Sequence, residues 1–409
     1  MKTLYINNYN YVRGGAESVF LAEADLMERN GNIVQIFSRK HPNNLPSKYD
    51  PFFPKEMVTD SIKPTIASIR SLLQIFYSMD AKQHLAKMLH EIPVDVAHAH
   101  NIYGRLTTSV LDLLNKNNIP IVMTLHDYKI ICPNYKLMHH GHICEDCKGN
   151  TYYMAPWNRC HKNSFFASSI YALETYFNHF FNKYRKNVRY FVSPSIFLKE
   201  KLIEFGWPKQ QIEYIPNFIE PMKIVPNFSP GNYFLYLGRL SSEKGLLTLV
   251  ESFMKLTSDK ASLKIVGEGP LRHRLETTAK SSPQIQFTGY LSGKALKNAI
   301  RDALAIIIPS EWYENAPISI LEAFSFGKPV IGSRIGGIPE MIDEGMNGYL
   351  FEPGNVDDLT AKLDLVLCTP VERITDLGHA ARQKVEREYS SELHYDRLMD
   401  LYNRVLKES

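Results

Sequence analysis

Short β-rich runs recur through this chain, and most end in a polar or glycine-bearing turn followed by an amphipathic stretch. In the first half these are "KTLYINN", "NIVQIFS", "VDVAHAHN", "IPIVMTLHD" and "VRYFVSPS". In the second half they are "YFLYLGRL", "ASLKIVGEG", "IQFTGYL", "LAIIIPSEW", "KPVIGSRIGG" and "GYLF". Strand, loop and helix in alternation bury their apolar faces best as a parallel sheet covered by helices on both sides. The expected class is therefore α/β. Between the two series lies "EPMKIVPNFSPGNY", rich in Pro, Asn and Gly, which reads as a linker. A chain of 409 residues is also long for a single core. Two doubly wound domains are expected, over 1–220 and 221–390, with a helical stretch 391–409 packing back on the first.

The bulk numbers exclude more than they assign. A formal charge of +4 is too small to call for nucleic acid, and no nucleic-acid-binding fold accompanies it. No apolar run reaches the ~18 residues of a membrane span. The opening "MKTLYINNYN" reads as a first strand and lacks the apolar core of a secretory leader. A cytoplasmic location is expected, and the five cysteines should then be thiols or metal ligands.

In open parallel sheets, ligands bind beyond the carboxyl ends of the strands. The unusual residues of this chain cluster there. In "LGRLSSEKGLLTLV", Arg239 leaves a strand and Lys244 stands at a helix entry. Two cations beside a helix N-terminus suit a diphosphate; two solvated surface cations are the plainer reading. In "LKIVGEGPLRHRLE", Gly267-Glu268-Gly269 forms a tight turn that lets backbone approach a flat base, or simply joins a strand to a helix. The third glycine of a dinucleotide fingerprint is missing, because Arg272 stands in its place.

"PSEWYENAPISILEAFSFGKPV" holds Glu314 before an apolar helix and Glu322 inside it. Pro317 suits the first helical position and Gly327 a C-terminal stop. A carboxylate among apolar residues needs a partner. A ribose diol would supply two hydroxyl donors to Glu322; an ion pair with Arg or Lys is the alternative. The amides of Asn315, Ala316, Pro317-Ile318 and the helix start offer a seat for sugar hydroxyls or phosphate.

Glu314, seven residues and Glu322 resemble the E-x7-E element of the GT4 family of retaining glycosyltransferases. The likeness extends over most of the chain in family order: "GGAES" at 14–18, "TLHDY" at 124–128, "GRLSSEKGL" at 238–246, "VGEGP" at 266–270 and "GIPE" at 337–340. The resemblance implies a GT-B fold, with two Rossmann-like domains facing a cleft. It implies that Arg239 and Lys244 bind the donor diphosphate, Glu322 the ribose, and Glu314 the transferred sugar. It places Gly14 and Gly15 near the phosphates, and His126 beside the transferred sugar and acceptor. It further implies a metal-independent transfer from a UDP- or GDP-sugar to a glycan or lipid-linked glycan, in bacterial envelope polysaccharide synthesis. A nucleotide-sugar epimerase and a non-catalytic sugar-nucleotide-binding protein are the alternatives. On this reading Lys244→Ala abolishes donor binding and leaves the apo fold intact.

Two stretches stand outside that scheme. Cys132, Cys144, Cys147 and Cys160 give C-x11-C-x2-C-x12-C, a plausible tetrahedral zinc set or a group of free thiols. Cys368 stands apart. "YFNHFFNKYRKNVRYF" interleaves aromatics with Lys183, Arg185, Lys186 and Arg189, and "SIRSLLQIFYSM" could add an apolar face. Contact with an anionic membrane surface and a core helix with a solvated basic face both remain open for it.

Overall fold

The computed structural model describes residues 1–56, 73–258 and 262–408. The chain divides into two compact units, one made of residues 1–139, 144–215 and 395–409, the other of 140–143 and 216–394.

The sheet of the first unit contains β1 (Lys2–Ile6), β2 (Ile33–Phe37), β3 (Val96–Ala99), β4 (Ile121–Thr124), β5 (Tyr190–Ser193) and β6 (Ile212–Tyr214). Their order is β2-β1-β3-β4-β5-β6, and every neighbouring pair is parallel. The direction of winding reverses between β1 and β3. The C-terminal helix Ser391–Lys407 sends Leu398, Leu401, Tyr402 and Val405 into the core formed by Tyr5, Phe20, Val96 and Val122. Those four lie at the i, i+3, i+4, i+7 spacing of one helix face.

The second unit contains β7 (Tyr233–Leu237), β8 (Ser262–Val266), β9 (Ile285–Gly289), β10 (Ala305–Ile308), β11 (Val330–Ser333) and β12 (Gly348–Phe351). The order is β9-β8-β7-β10-β11-β12, again all parallel. Alternate residues of each strand serve opposite faces, as the pleat requires. Phe234, Tyr236, Ile307 and Ile331 join the core under helices Leu246–Met254 and Val356–Cys368. Tyr233, Leu235, Ile306 and Val330 join the core under helices Ile318–Ser325 and Val371–Glu388. A sheet covered on both faces explains why its strands read as nearly continuous apolar runs. Winding reverses between β7 and β10, so the loops after these two strands mark the topological switch point, where such sheets bind ligands.

The stretch 220–233, expected as a linker, is fastened to the second unit. The Arg382 guanidinium donates to the carbonyls of Pro221, Ile224 and Ser325. Phe228 stacks on His379 at 3.7 Å. Among the described residues no helix is long and apolar enough to cross a membrane.

Candidate functional site

In the second unit, the loop after β7 runs through Gly238 and the exposed Arg239 into a short 3-10 turn, Ser242–Lys244, and then the helix Leu246–Met254. Gly245 joins turn to helix with φ of +63°, and a Cβ there would lie 1.8 Å from the Pro309 carbonyl oxygen. Only glycine lets the two switch-point loops pass so closely. The contact carries Lys244 to the loop after β10. Its Nζ lies 2.6 Å from Glu314 Oε1, which also accepts from Ser310 Oγ at 2.6 Å.

Glu314 is only 7% exposed. Burial alone would raise its pKa, but the charge and hydrogen bonds of Lys244, with Ser310, outweigh burial and hold it below the usual carboxylate range. The Gly337 amide donates to the Glu314 carbonyl at 2.8 Å, so the Gly336–Gly337 loop braces the same residue. The Arg239 guanidinium has no hydrogen-bond or ion-pair partner among the described residues, which leaves a cation available beside this pair.

The helix begins at Ile318, one residue later than expected. Pro317 is its N-cap, with φ of −67° and ψ of 116°, and not its first helical residue. The proline ring fixes φ, which suits either position; the extended ψ puts Pro317 outside the helix. No side chain caps this end. Asn315 is buried, and the Ala316 carbonyl accepts from Asn217 Nδ2 at 3.0 Å. Gly327, with φ of +72°, follows the helix end as expected.

Glu322 is half-buried on this helix, and burial pushes its carboxyl up to about 7. Burial is the sole cause of that shift, so the ion pair weighed from sequence is absent among the described residues. Gly267 has φ of +136°, and a Cβ would meet the Gly238 carbonyl oxygen at 1.9 Å. The turn therefore needs glycine for packing between β7 and β8 alone. Glu268 is exposed and paired with Arg272.

In the first unit, Gly14 is the N-cap of helix Gly15–Arg29, and both glycines are exposed with no side chain capping the end. His126 follows β4 and is half-buried. Its Nε2 lies 2.8 Å from His100 Nδ1. His100 Nε2 lies 3.6 Å from Glu23 Oε1, and His98 Nδ1 lies 2.9 Å from the same oxygen. Burial, followed by the neighbouring His100, lowers the His126 pKa well below the ordinary histidine value, so the ring is neutral at pH 7. If the protons run toward the carboxylate, His126 donates from Nε2 and keeps Nδ1 as an acceptor. Glu23, His98 and His100 are also near enough to one another to hold a metal. However, Tyr402 at 2.6 Å, Thr124 at 2.8 Å and His126 already engage three of the four imidazole nitrogens.

Sequence reasoning missed Glu23, His98, His100 and Ser310. The available signal was His-Ala-His in a buried strand, which puts both rings on one face of β3. Asp127, next to His126, accepts from the Lys129 amide at 2.9 Å and so turns the chain.

A model described as Glycosyltransferase Family 4 matches residues 13–223, and one described as Glycosyl transferases group 1 matches 219–384. The chain belongs to glycosyltransferase family 4. Sulfoquinovosyl transferase SQD2 of Arabidopsis thaliana is 36% identical over 156 residues, 37% of this chain and 30% of that one. The amylovoran biosynthesis glycosyltransferase AmsK of Erwinia amylovora is 27% identical over 221 residues, 51% of this chain and 54% of that one. The matches thus span about half or less of these curated relatives' lengths. The crystal structure of Anabaena HepE in complex with UDP and glucose has a TM-score of 0.70 at 15% identity, covering 99% of this chain and 100% of that one. The shared architecture is the GT-B fold, two Rossmann-like α/β domains.

Proposed function

We propose that this family 4 protein is a retaining glycosyltransferase that moves a sugar from a nucleoside-diphosphate sugar to a glycan or lipid-linked glycan in bacterial envelope polysaccharide synthesis. The observation that carries the proposal is the switch-point cluster of the second unit. It combines a partly exposed Lys244 paired with the buried Glu314, an available Arg239, and a helix N-terminus followed one turn later by Glu322, a carboxylate with no ion-pair partner among the described residues. Arg239 and Lys244 hold the diphosphate and Glu322 the ribose, while Glu314 contacts the transferred sugar and the backbone amides of Asn315, Ala316 and Ile318, on either side of Pro317, act as donors. The open helix end at Gly14–Gly15 takes an anionic group of the substrates, and Gly267 and Glu268 border the base. HepE was crystallised with UDP and glucose, which supports a nucleotide-sugar donor for this chain too.

In the reaction, the bond between the anomeric carbon and the phosphate oxygen breaks, and its electron pair leaves with the diphosphate. The acceptor oxygen bonds the same carbon on the same face and passes its proton to the departing phosphate. The two cations stabilise the charge that grows on the leaving group and need no divalent metal. Neutral His126, held by His100, orients the acceptor hydroxyl through Nδ1.

A thermal-shift screen of UDP- and GDP-sugars tests the donor. One sugar class should stabilise the protein, by about 2.7 kcal/mol at a hundredfold excess over Kd. It should then yield an α- or β-linked product matching the donor's own anomer. Inversion of the anomer, or sugar isomerisation without acceptor, would refute the proposal.

A lipid-linked acceptor is favoured by helix Phe165–Phe180 of the first unit. Its buried side is mostly polar, with Ser168, Ala172, Glu174, Thr175 and Asn178, whereas Phe166, Leu173 and Phe180 are 66%, 58% and 80% exposed. Seven-residue spacing aligns these three in one apolar stripe. Of the four nearby cations, Lys186 and Arg189 are exposed. Lys183 pairs with Asp112 at 2.6 Å, and Arg185 donates to the Gly206 carbonyl. Of "SIRSLLQIFYSM", residues 68–72 lie outside the described residues; in the remainder Leu73 and Met79 are exposed, whereas Ile75 is buried and Phe76 packs edge-on against Phe177. Sedimentation with phosphatidylglycerol vesicles at low salt should carry the protein down, and Leu173→Glu should release it. Equal sedimentation of parent and variant would remove this face from the account.

A further inference from the structure

The segment between β4 and helix Phe165–Phe180 is long, and little regular structure holds it. It contains a two-residue hairpin, Met138–His139 with His142–Ile143, and one short helix, Met154–Trp157. Seven of the chain's ten described non-glycine residues with positive φ fall here: Tyr135, Leu137, His140, Asn150, Arg159, Lys162 and Asn163. Left-handed backbone at such residues persists only where surrounding contacts over-determine it. The local apolar cluster is small: Cys147, Tyr152, Ala155 and Ala172, with Cys160 and Tyr176 packed against it. Residues 148–164 hold four of these turns and bury only Tyr152 and Ala155, too little to hold them by packing alone.

All four cysteines of this segment line one cavity of about 10 Å³, with Asn134, Leu137, Met138, Ala155 and Asn158 completing its wall. The Cys132 thiol donates to Asn134 Oδ1 at 3.1 Å. After the C-x2-C pair the chain reverses at Gly149, where φ is +76°.

We propose that Cys132, Cys144, Cys147 and Cys160 bind one zinc ion as a tetrathiolate that fastens this segment to the first unit. Zinc displaces four thiol protons to solvent, and no electron is transferred. A cavity of this size admits a single ion, about one water-sized sphere, and not an iron–sulfur cluster. Among the described residues no three of the four sulfurs lie mutually within 4.8 Å. Tetrahedral zinc at about 2.3 Å from each would bring them to roughly 3.8 Å, so the thiols rotate inward on binding. His139, Cys144 and Asp146 form a second candidate trio, with ligand atoms within 4.8 Å of one another. Asp146 there is exposed and accepts from Asn158 Nδ2 at 2.8 Å, whereas Cys132 and Cys147 are buried at the cavity wall. The tetrathiolate therefore takes the ion.

The test is made on the full chain, purified with reductant and without chelator. Elemental analysis should find about one zinc per chain. Stepwise titration with an organomercurial should release that zinc as four thiols are blocked, and the exposed Cys368 should react without releasing any. His139→Ala should keep the zinc, whereas Cys160→Ser should lose it. Zinc below about a tenth of an equivalent would overturn the proposal, and so would iron in its place or a disulfide between these cysteines. Loss of zinc in His139→Ala with retention in Cys160→Ser would overturn it too. None of these readouts depends on transferase activity, so the proposal stands or falls apart from the proposed function.

Discussion

Lys244→Ala is expected to remove donor binding and to lower apo stability by about 3 kcal/mol, the low end for breaking a buried ion pair. The second part reverses the expectation from sequence, which treated Lys244 as a ligand-binding cation that the fold could spare. Glu314 is buried, and Lys244 is the cation that keeps it charged. Without Lys244 the burial of Glu314 prevails and its pKa moves upward. In the parent, the depressed folded pKa of Glu314 gives stability that is present above the unfolded value of 4.5. That stability is lost as pH falls through the folded value. In Lys244→Ala the sign reverses, so the deficit grows as pH rises from about 4.5 towards 7. The double variant Lys244→Met/Glu314→Gln should recover most of the stability and none of the transfer. Denaturant melts of the three proteins at pH 5 and pH 7, with UDP and GDP titrations, separate the two roles. If Lys244→Ala melts like the parent and still binds nucleotide, both roles are wrong.

The same pair constrains the proposed transfer. A diphosphate that recruits Lys244 must share it with Glu314 or take it over. If taken over, Glu314 would be left to the hydroxyls of the transferred sugar. Free nucleotide and intact nucleotide-sugar would then differ in how they perturb Glu314. The Arg239 guanidinium, unpaired among the described residues, carries no such cost, which makes it the first cation available to an arriving phosphate.

Much of the fold was legible because its signals are local. A β-branched run ending in glycine or a polar residue marks a buried parallel strand, and every strand of the two sheets except β6 lies where such a run stands. Helix Ile318–Ser325 announced itself by its apolar spacing, and its start was misplaced by one residue because proline's φ alone does not separate N-cap from first turn. Long-range pairings were not legible. Nothing in the basic stretch says that Lys183 is taken by Asp112, 71 residues earlier. Likewise, the contacts joining His126 to His100 and His98 to Tyr402 span 26 and 304 residues. Of the cysteine set, C-x2-C is a local signal. That Cys132 and Cys160 reach the same cavity depends on left-handed turns at residues such as Tyr135 and Arg159, which carry no glycine to reveal them.

Glu322→Gln should stabilise the apo protein at alkaline pH and weaken nucleotide binding, two opposite effects of one substitution. The folded pKa of Glu322 is raised by burial from 4.5 to about 7. Stability tied to its protonated form is full below 4.5 and is lost as pH rises through about 7. At about 1.4 kcal/mol per pKa unit, the loss is at most about 3 kcal/mol, and solvent at the half-buried site reduces it. Glutamine removes the ionisation, so the variant should match the parent near pH 4 and exceed it by about 1–2 kcal/mol at pH 8. A ribose diol donates to the ionised carboxylate, each such bond contributing about 1.5–3 kcal/mol. The variant should therefore bind free UDP or GDP about ten- to a hundredfold more weakly. Parent affinity should also rise as pH passes through the Glu322 pKa, a dependence the variant lacks. Glu314→Gln, by contrast, should spare free nucleotide and weaken the intact nucleotide-sugar. Calorimetric titrations at pH 6 and pH 8 decide it. If Glu322→Gln binds free nucleotide as the parent does, the carboxylate does not hold the ribose, and its burial on this helix has another cause.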